Sequence, residues 1–141
     1  MKRSAFQSRL GQNKGIPVSD IRIVKWDSLP PKEALNAVLT QYYDLAVQRM
    51  RDIGFEIDQA APQSALAEFW AKSGEYLPPN GCLVTAMDGA EQIVGCAMMK
   101  RLDHETGELK RDFVTESARG TGTGRALLQA RIDEARKLGL K

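Results

Sequence analysis

The chain has 141 residues, 43% hydrophobic and 27% charged, a length and balance that suit one domain with a real core. Its formal net charge of +2 is too small to argue for a nucleic-acid partner, and no apolar run approaches the roughly 20 residues of a membrane helix. Cys82 and Cys96 lack CxxC spacing, so neither a disulfide framework nor a metal site is expected; buried, reduced thiols in a cytoplasmic protein without a secretory segment are.

Residues 1–19 carry Lys2, Arg3, Arg9 and Lys14 before the first acid, Asp20, and read as a basic, flexible tail. The domain is expected to fill 20–141. Residues 21–26 are short and β-branched and predict a strand. From Pro31 the period changes: Leu35, Val38, Leu39, Tyr42, Leu45, Ala46 and Met50 recur every three or four residues, an amphipathic helix ending at Gly54. A second helix is expected over 64–72, stopped by Gly74, with Leu66, Phe69 and Trp70 inward. Apolar runs at 82–87 and 92–102 flank Asp88-Gly89-Ala90-Glu91 and predict a hairpin. A further strand follows over 108–115, then a helix over 122–138 with Leu128, Ile132, Ala135 and Leu138 as its apolar stripe and Gly139 as its cap. The order β-α-α-β-β-β-α points to an α+β fold with a mixed, mainly antiparallel sheet flanked by helices.

The most informative segment is Arg119-Gly120-Thr121-Gly122-Thr123-Gly124-Arg125, between an apolar strand and an amphipathic helix. Glycines let successive backbone N–H groups converge on one point. The helix behind them adds unpaired N–H donors and a positive dipole end, so the turn suits a phosphate. It lacks the Lys-Ser/Thr of a Walker loop. Its alternating glycines and late position fit a dinucleotide fingerprint poorly.

The turn does resemble the acetyl-coenzyme A loop of the GNAT N-acetyltransferase superfamily, whose pattern Gln/Arg-x-x-Gly-x-Gly/Ala is filled by Arg119, Gly122 and Gly124. The stretch LKRDFVTESARGTGTGRALLQARIDEARKLGL looks like that family's strand-loop-helix core, and the element order matches its first two thirds. The resemblance implies acetyl-CoA as co-substrate. Its pyrophosphate would sit on the backbone of Arg119, Gly120, Thr121, Gly122, Thr123, Gly124 and Arg125. Its pantetheine arm would pair with the open edge at Phe113, Val114 and Thr115. The Val114 region would supply an oxyanion donor. Glu108 matches the glutamate base of one branch of the family. Asp112 departs from the pattern; it would face the acceptor amine or solvent. His104 reads as an exposed turn residue.

The implied reaction is transfer of an acetyl group to an amine: a small molecule, a peptide N-terminus or a lysine. The alternative is a non-catalytic acyl-CoA-binding or oligomerisation module. The resemblance also implies a further strand beyond the last helix, and an acceptor pocket built partly by the two N-terminal helices. Without that strand the cofactor strand is an edge, and a self-associating homo-oligomer is the expectation. No membrane or nucleic-acid partner is indicated.

Overall fold

The computed structural model describes residues 20–140; the basic tail expected over 1–19 lies outside the described residues. Strand β1 (Arg22–Lys25) leads to helix α1 (Lys32–Asp52) and helix α2 (Ala61–Ala71). Strands β2 (Gly81–Met87), β3 (Ile93–Arg101) and β4 (Gly107–Val114) follow, then helix α3 (Thr123–Lys137). The four strands form one sheet in sequential order, each antiparallel to its neighbour. The α+β architecture is therefore as expected, with every described pairing antiparallel. A short 3-10 turn, Ser73–Tyr76, was not anticipated and extends the end of α2.

Helices cover both faces of the sheet. α1 and α2 pack on one face, where Leu35, Val38, Leu39 and Phe69 meet Leu83, Cys96, Met98 and Phe113. α3 covers the other, with Leu127 against Val84, Ala86, Val94 and Ala97. β2 lies between two covered faces, and all seven of its residues are buried. A strand covered on both sides reads as a continuous apolar run, which is the pattern of Cys82–Met87. Burying one Leu or Val of this core contributes about 1.5–3 kcal/mol. Gly81 is required where β2 begins, because a Cβ there would lie 2.2 Å from the Met99 carbonyl oxygen.

Both long helices obey the expected stop signals. Gly139, at φ +81, ends α3: its N–H donates to Arg136 O at 3.0 Å, and the Leu140 N–H donates to Ala135 O at 2.9 Å. These bonds satisfy the last carbonyls, and Leu140 closes the end against Cys82 and Met99. α1 carries Glu33 in its first turn and Arg49 and Arg51 in its last, each sign at the favourable dipole end.

The buried stripe of α3 differs from expectation. Thr123, Leu127, Arg131 and Glu134 face the sheet, whereas Leu128 is 40% exposed. Close packing sets this rotation: a Cβ on Gly95 would lie 3.1 Å from a Leu127 methyl, and one on Gly124 3.9 Å from Val114. Apolar periodicity could not find the stripe, because an arginine and a glutamate occupy core positions with partners of their own. Glu134 pairs with Lys25 at 3.2 Å and with Lys137 at 3.4 Å.

Candidate functional site

The site is built on β4. Cys96 opposes Phe113 and Met98 opposes Lys110, so the single residue Ala97 faces both Arg111 and Asp112. This is a β-bulge, which places one extra residue in β4 and re-aims the side chains around it. Arg111 takes φ +55, a left-handed conformation costing a non-glycine residue about 1–3 kcal/mol. The two neighbours leave on opposite faces.

Asp112 points towards α3 and meets Arg131, with Nη2 to the two carboxylate oxygens at 2.7 and 2.9 Å. Arg131 is 1% exposed, and its Nη1 donates to the Met98 carbonyl at 3.1 Å. Asp112 is therefore exposed to solvent, as one of its two sequence readings had it, and is at the same time the counter-ion of a buried arginine, a role the sequence did not show. Arg111 points towards α1 and α2. Its Nε donates to the Tyr43 hydroxyl at 2.8 Å and its Nη1 to the Tyr76 hydroxyl at 2.6 Å. The guanidinium lies 5.2 Å from the Phe69 ring centroid and 4.9 Å from that of Tyr76. Burial alone would lower the pKa of Arg111; the two tyrosines outweigh it and hold the pKa raised.

At its far end β4 runs into the glycine turn. Phe113 and Thr115 are buried and Val114 is half-buried. The Thr115 N–H donates to Val94 O in β3 at 2.8 Å. Strand alternation then aims the Val114 N–H and C=O away from β3, towards the edge that has no strand partner among the described residues. That carbonyl accepts the Arg119 Nε–H at 3.1 Å, while the Arg119 guanidinium lies 5.8 Å from the Phe113 ring. Arg119 thus folds back over the edge of β4.

In the turn itself Gly120 and Gly122 have φ +78 and +83, left-handed conformations that glycine adopts without strain. Thr121 and Thr123 bond through their hydroxyls, and Thr121 also donates to the Ala118 carbonyl, which braces the turn from inside. Gly122 is the N-cap of α3, and no side chain caps that end. The first helical bond runs from the Ala126 N–H to Gly122 O at 3.0 Å. The N–H groups of Thr123, Gly124 and Arg125 therefore have no helical acceptor and sit at the positive end of α3. Such a cradle of free donors fits a pyrophosphate without any basic side chain inside it. Beside it, a cavity of about 270 Å³ opens between β4 and α3, lined by Phe113, Val114, Gly124, Leu127, Leu128 and Arg131. A groove of about 530 Å³ runs along the opposite face, between α1 and Thr115–Ser117.

The structure thus brings together Phe113, Val114, Thr115 and all of Arg119–Arg125 around one end of β4. It does not bring Glu108 there. Glu108 is exposed at the start of β4, opposite Lys100 and 4.0 Å from Lys110. Six positions separate it from Val114, about 20 Å of extended strand. His104 is exposed in the β3–β4 turn, where its carbonyl accepts from Arg101 Nη1 at 3.2 Å. Burial pushes the Cys96 thiol up to about 12 and the Cys82 thiol up to about 11, so neither is a thiolate nucleophile near neutral pH. No cluster of three or more His, Cys, Asp or Glu suited to a metal occurs among the described residues. No described helix is long and apolar enough to cross a membrane. The sequence reading missed Arg111 with its two tyrosines, and the buried Arg131. No local signal marks the bulge that separates Arg111 from Asp112.

Comparison with known proteins agrees with this geometry. The family model described as Acetyltransferase (GNAT) family matches residues 39–141, well over half of the chain. A GNAT-family acetyltransferase structure from Staphylococcus aureus is 22% identical with a TM-score of 0.59, over 83% of this chain and 67% of that one. A structure described as a putative acetyl transferase from Pyrococcus furiosus is 18% identical with a TM-score of 0.64, over 86% of this chain and 78% of that one. An aminoglycoside 6'-N-acetyltransferase complexed with coenzyme A is 19% identical with a TM-score of 0.57, over 84% of this chain and 57% of that one. No curated protein matches significantly. At these identities the structures speak to the fold, and it is the family model across β2, β3, β4, the glycine turn and α3 that shows the chain to be a member of the GNAT acetyltransferase family.

Proposed function

We propose that the chain binds acetyl-CoA along β4 and the glycine turn and transfers the acetyl group to an amine. One observation carries the reading: the uncapped N-terminus of α3, preceded by two left-handed glycines, adjoins the open edge of β4. The backbone N–H groups of Gly120–Arg125 would hold the pyrophosphate. The outward N–H and C=O of Val114 would pair with the pantetheine amides once Arg119 releases that carbonyl. The larger groove, between α1 and Thr115–Ser117, lies on the side of α1 and α2, and the amine would approach from there.

An alkyl amine has a pKa of about 10 and must lose a proton before it attacks. Glu108 is the base in this proposal. A base must reach its proton within about 3 Å or through one water. Val114 lies about 20 Å from Glu108 along the strand, so Glu108 would reach an amine there only by proton relay through a chain of several waters. The same separation favours one alternative, an acyl-CoA-binding module without turnover.

Acetyl transfer from acetyl-CoA to a panel of amines, followed by thiol release, separates the two. Turnover that falls about 100-fold in Glu108→Gln, with coenzyme affinity intact, supports Glu108 as base. A pH–rate profile and turnover equal to the parent's would make Glu108 a surface residue. Coenzyme binding without turnover on any amine would select the binding module.

A further inference from the structure

The side of β4 that faces α1 and α2 contains a cation with no carboxylate partner. Arg111 is half-buried there, bonded through Nε and Nη1 to the neutral hydroxyls of Tyr43 and Tyr76, with Phe69 and Tyr76 rings against its plane. Its Nη2 makes no bond to the described residues. The acids nearest along the chain and strand are already engaged. Asp112 faces the opposite side of the sheet and holds Arg131. Glu108 pairs with Lys110, and Glu75 pairs with Lys100 at 3.3 Å. A guanidinium withdrawn from water normally acquires a carboxylate or phosphate, because desolvation without an opposite charge is costly. Tyrosine hydroxyls and ring faces orient this one in a fixed direction without neutralising it. A preorganised fork with a free edge is the arrangement best matched to a planar carboxylate.

The geometry points to Arg111 as a receptor for a carboxylate on the acceptor, so that the substrate class is an amine that also carries a carboxylate, as amino acids do. The inference rests on the reading of β4 as the acyl-transfer strand. Arg111 stands in the bulge of that strand, on the side left for the amine. Tyr43 of α1 and Tyr76 of the 3-10 turn act as positioning residues by holding the guanidinium.

The test compares acetyl transfer to glycine, β-alanine and phenylalanine with transfer to methylamine, ethylamine and phenethylamine, which lack only the carboxylate. Wild-type protein, Arg111→Gln and Arg111→Lys are measured, with coenzyme A titrated into each by calorimetry. The expected result is a preference of about 10- to 100-fold in kcat/KM for at least one carboxylated member, the range of a charged hydrogen-bonded contact. That preference is lost in Arg111→Gln through a raised KM, is retained in large part by Arg111→Lys, and leaves coenzyme A affinity unchanged. Equal use of both series by the wild type would overturn the inference, as would a preference that survives in Arg111→Gln. So would loss of the preference in both variants together with a collapse in melting temperature, which marks a purely structural arginine. Absence of coenzyme A binding to the wild type overturns the acyl-transfer reading itself. Coenzyme A binding without transfer to either series overturns the acceptor assignment alone.

Discussion

Two arginines are treated in opposite ways by the two faces of the sheet. On the α3 face, Arg131 is almost wholly buried and is closed off by a carboxylate and a backbone carbonyl. On the α1 and α2 face, Arg111 is only half-buried and is fixed by hydroxyls and rings that carry no charge. Strand alternation sends Asp112 to the α3 side, and the bulge seats Arg111 beside it as an extra residue on the other side. The difference separates a charge used to hold α3 on the sheet from a charge held ready for something else.

The comparison breaks most visibly at Asp112. Asp112→Asn leaves Arg131 buried without its counter-charge; because Asp112 is itself 64% exposed, solvent screening reduces the loss to about 2 kcal/mol in urea unfolding. A change below about 0.5 kcal/mol would mean that the Arg131 pair is a surface pair in effect. Arg111→Gln removes no ion pair and relieves no clash. It is expected to cost no more than that, about 1–2 kcal/mol from two hydroxyl bonds and the ring contacts. If Arg111→Gln proved the more destabilising of the two, the division of labour between the faces would be reversed.

Much of this fold was legible in the sequence because its elements are bounded by strong local signals. Pro31, Gly54 and Gly139 stop or start helices by mechanisms that need no tertiary context, and both hairpin strands show plain apolar runs. The glycine turn was legible for the same reason: its left-handed residues are the glycines themselves. The bulge was not. Arg111 adopts a positive φ without being glycine, asparagine or aspartate, so only the pairing with β3 reveals it. The stripe of α3 was displaced because two ionisable residues occupy positions that periodicity reserves for apolar ones. The two tyrosines on Arg111 come from 68 and 35 residues away, a separation that no local pattern reports.

Cys96 gives a smaller and independent check on the α1 and α2 face. Its thiol titrates near 9.0 in the unfolded chain and near 12 in the folded one, because burial disfavours the thiolate. A group whose folded pKa is raised contributes fully below the unfolded value. Stability should therefore be intact below pH 9 and fall as pH rises from 9 towards 12, by up to about 1.4 kcal/mol per pH unit. Cys96→Ala should flatten that slope without removing it, since Cys82 follows the same sense to about 11. An unaltered slope in Cys96→Ala would mean that the thiol is hydrated.

The central claim, that the turn before α3 receives the coenzyme, is tested most directly by following backbone amide resonances while coenzyme A is added. The account predicts the largest shifts at Gly120–Arg125, with a second group at Phe113–Thr115. Gly122→Glu should abolish them, since its φ of +83 disfavours any side chain and the added carboxylate repels phosphate. Shifts of similar size in Gly122→Glu, or shifts confined to residues away from β4 and α3, would contradict it.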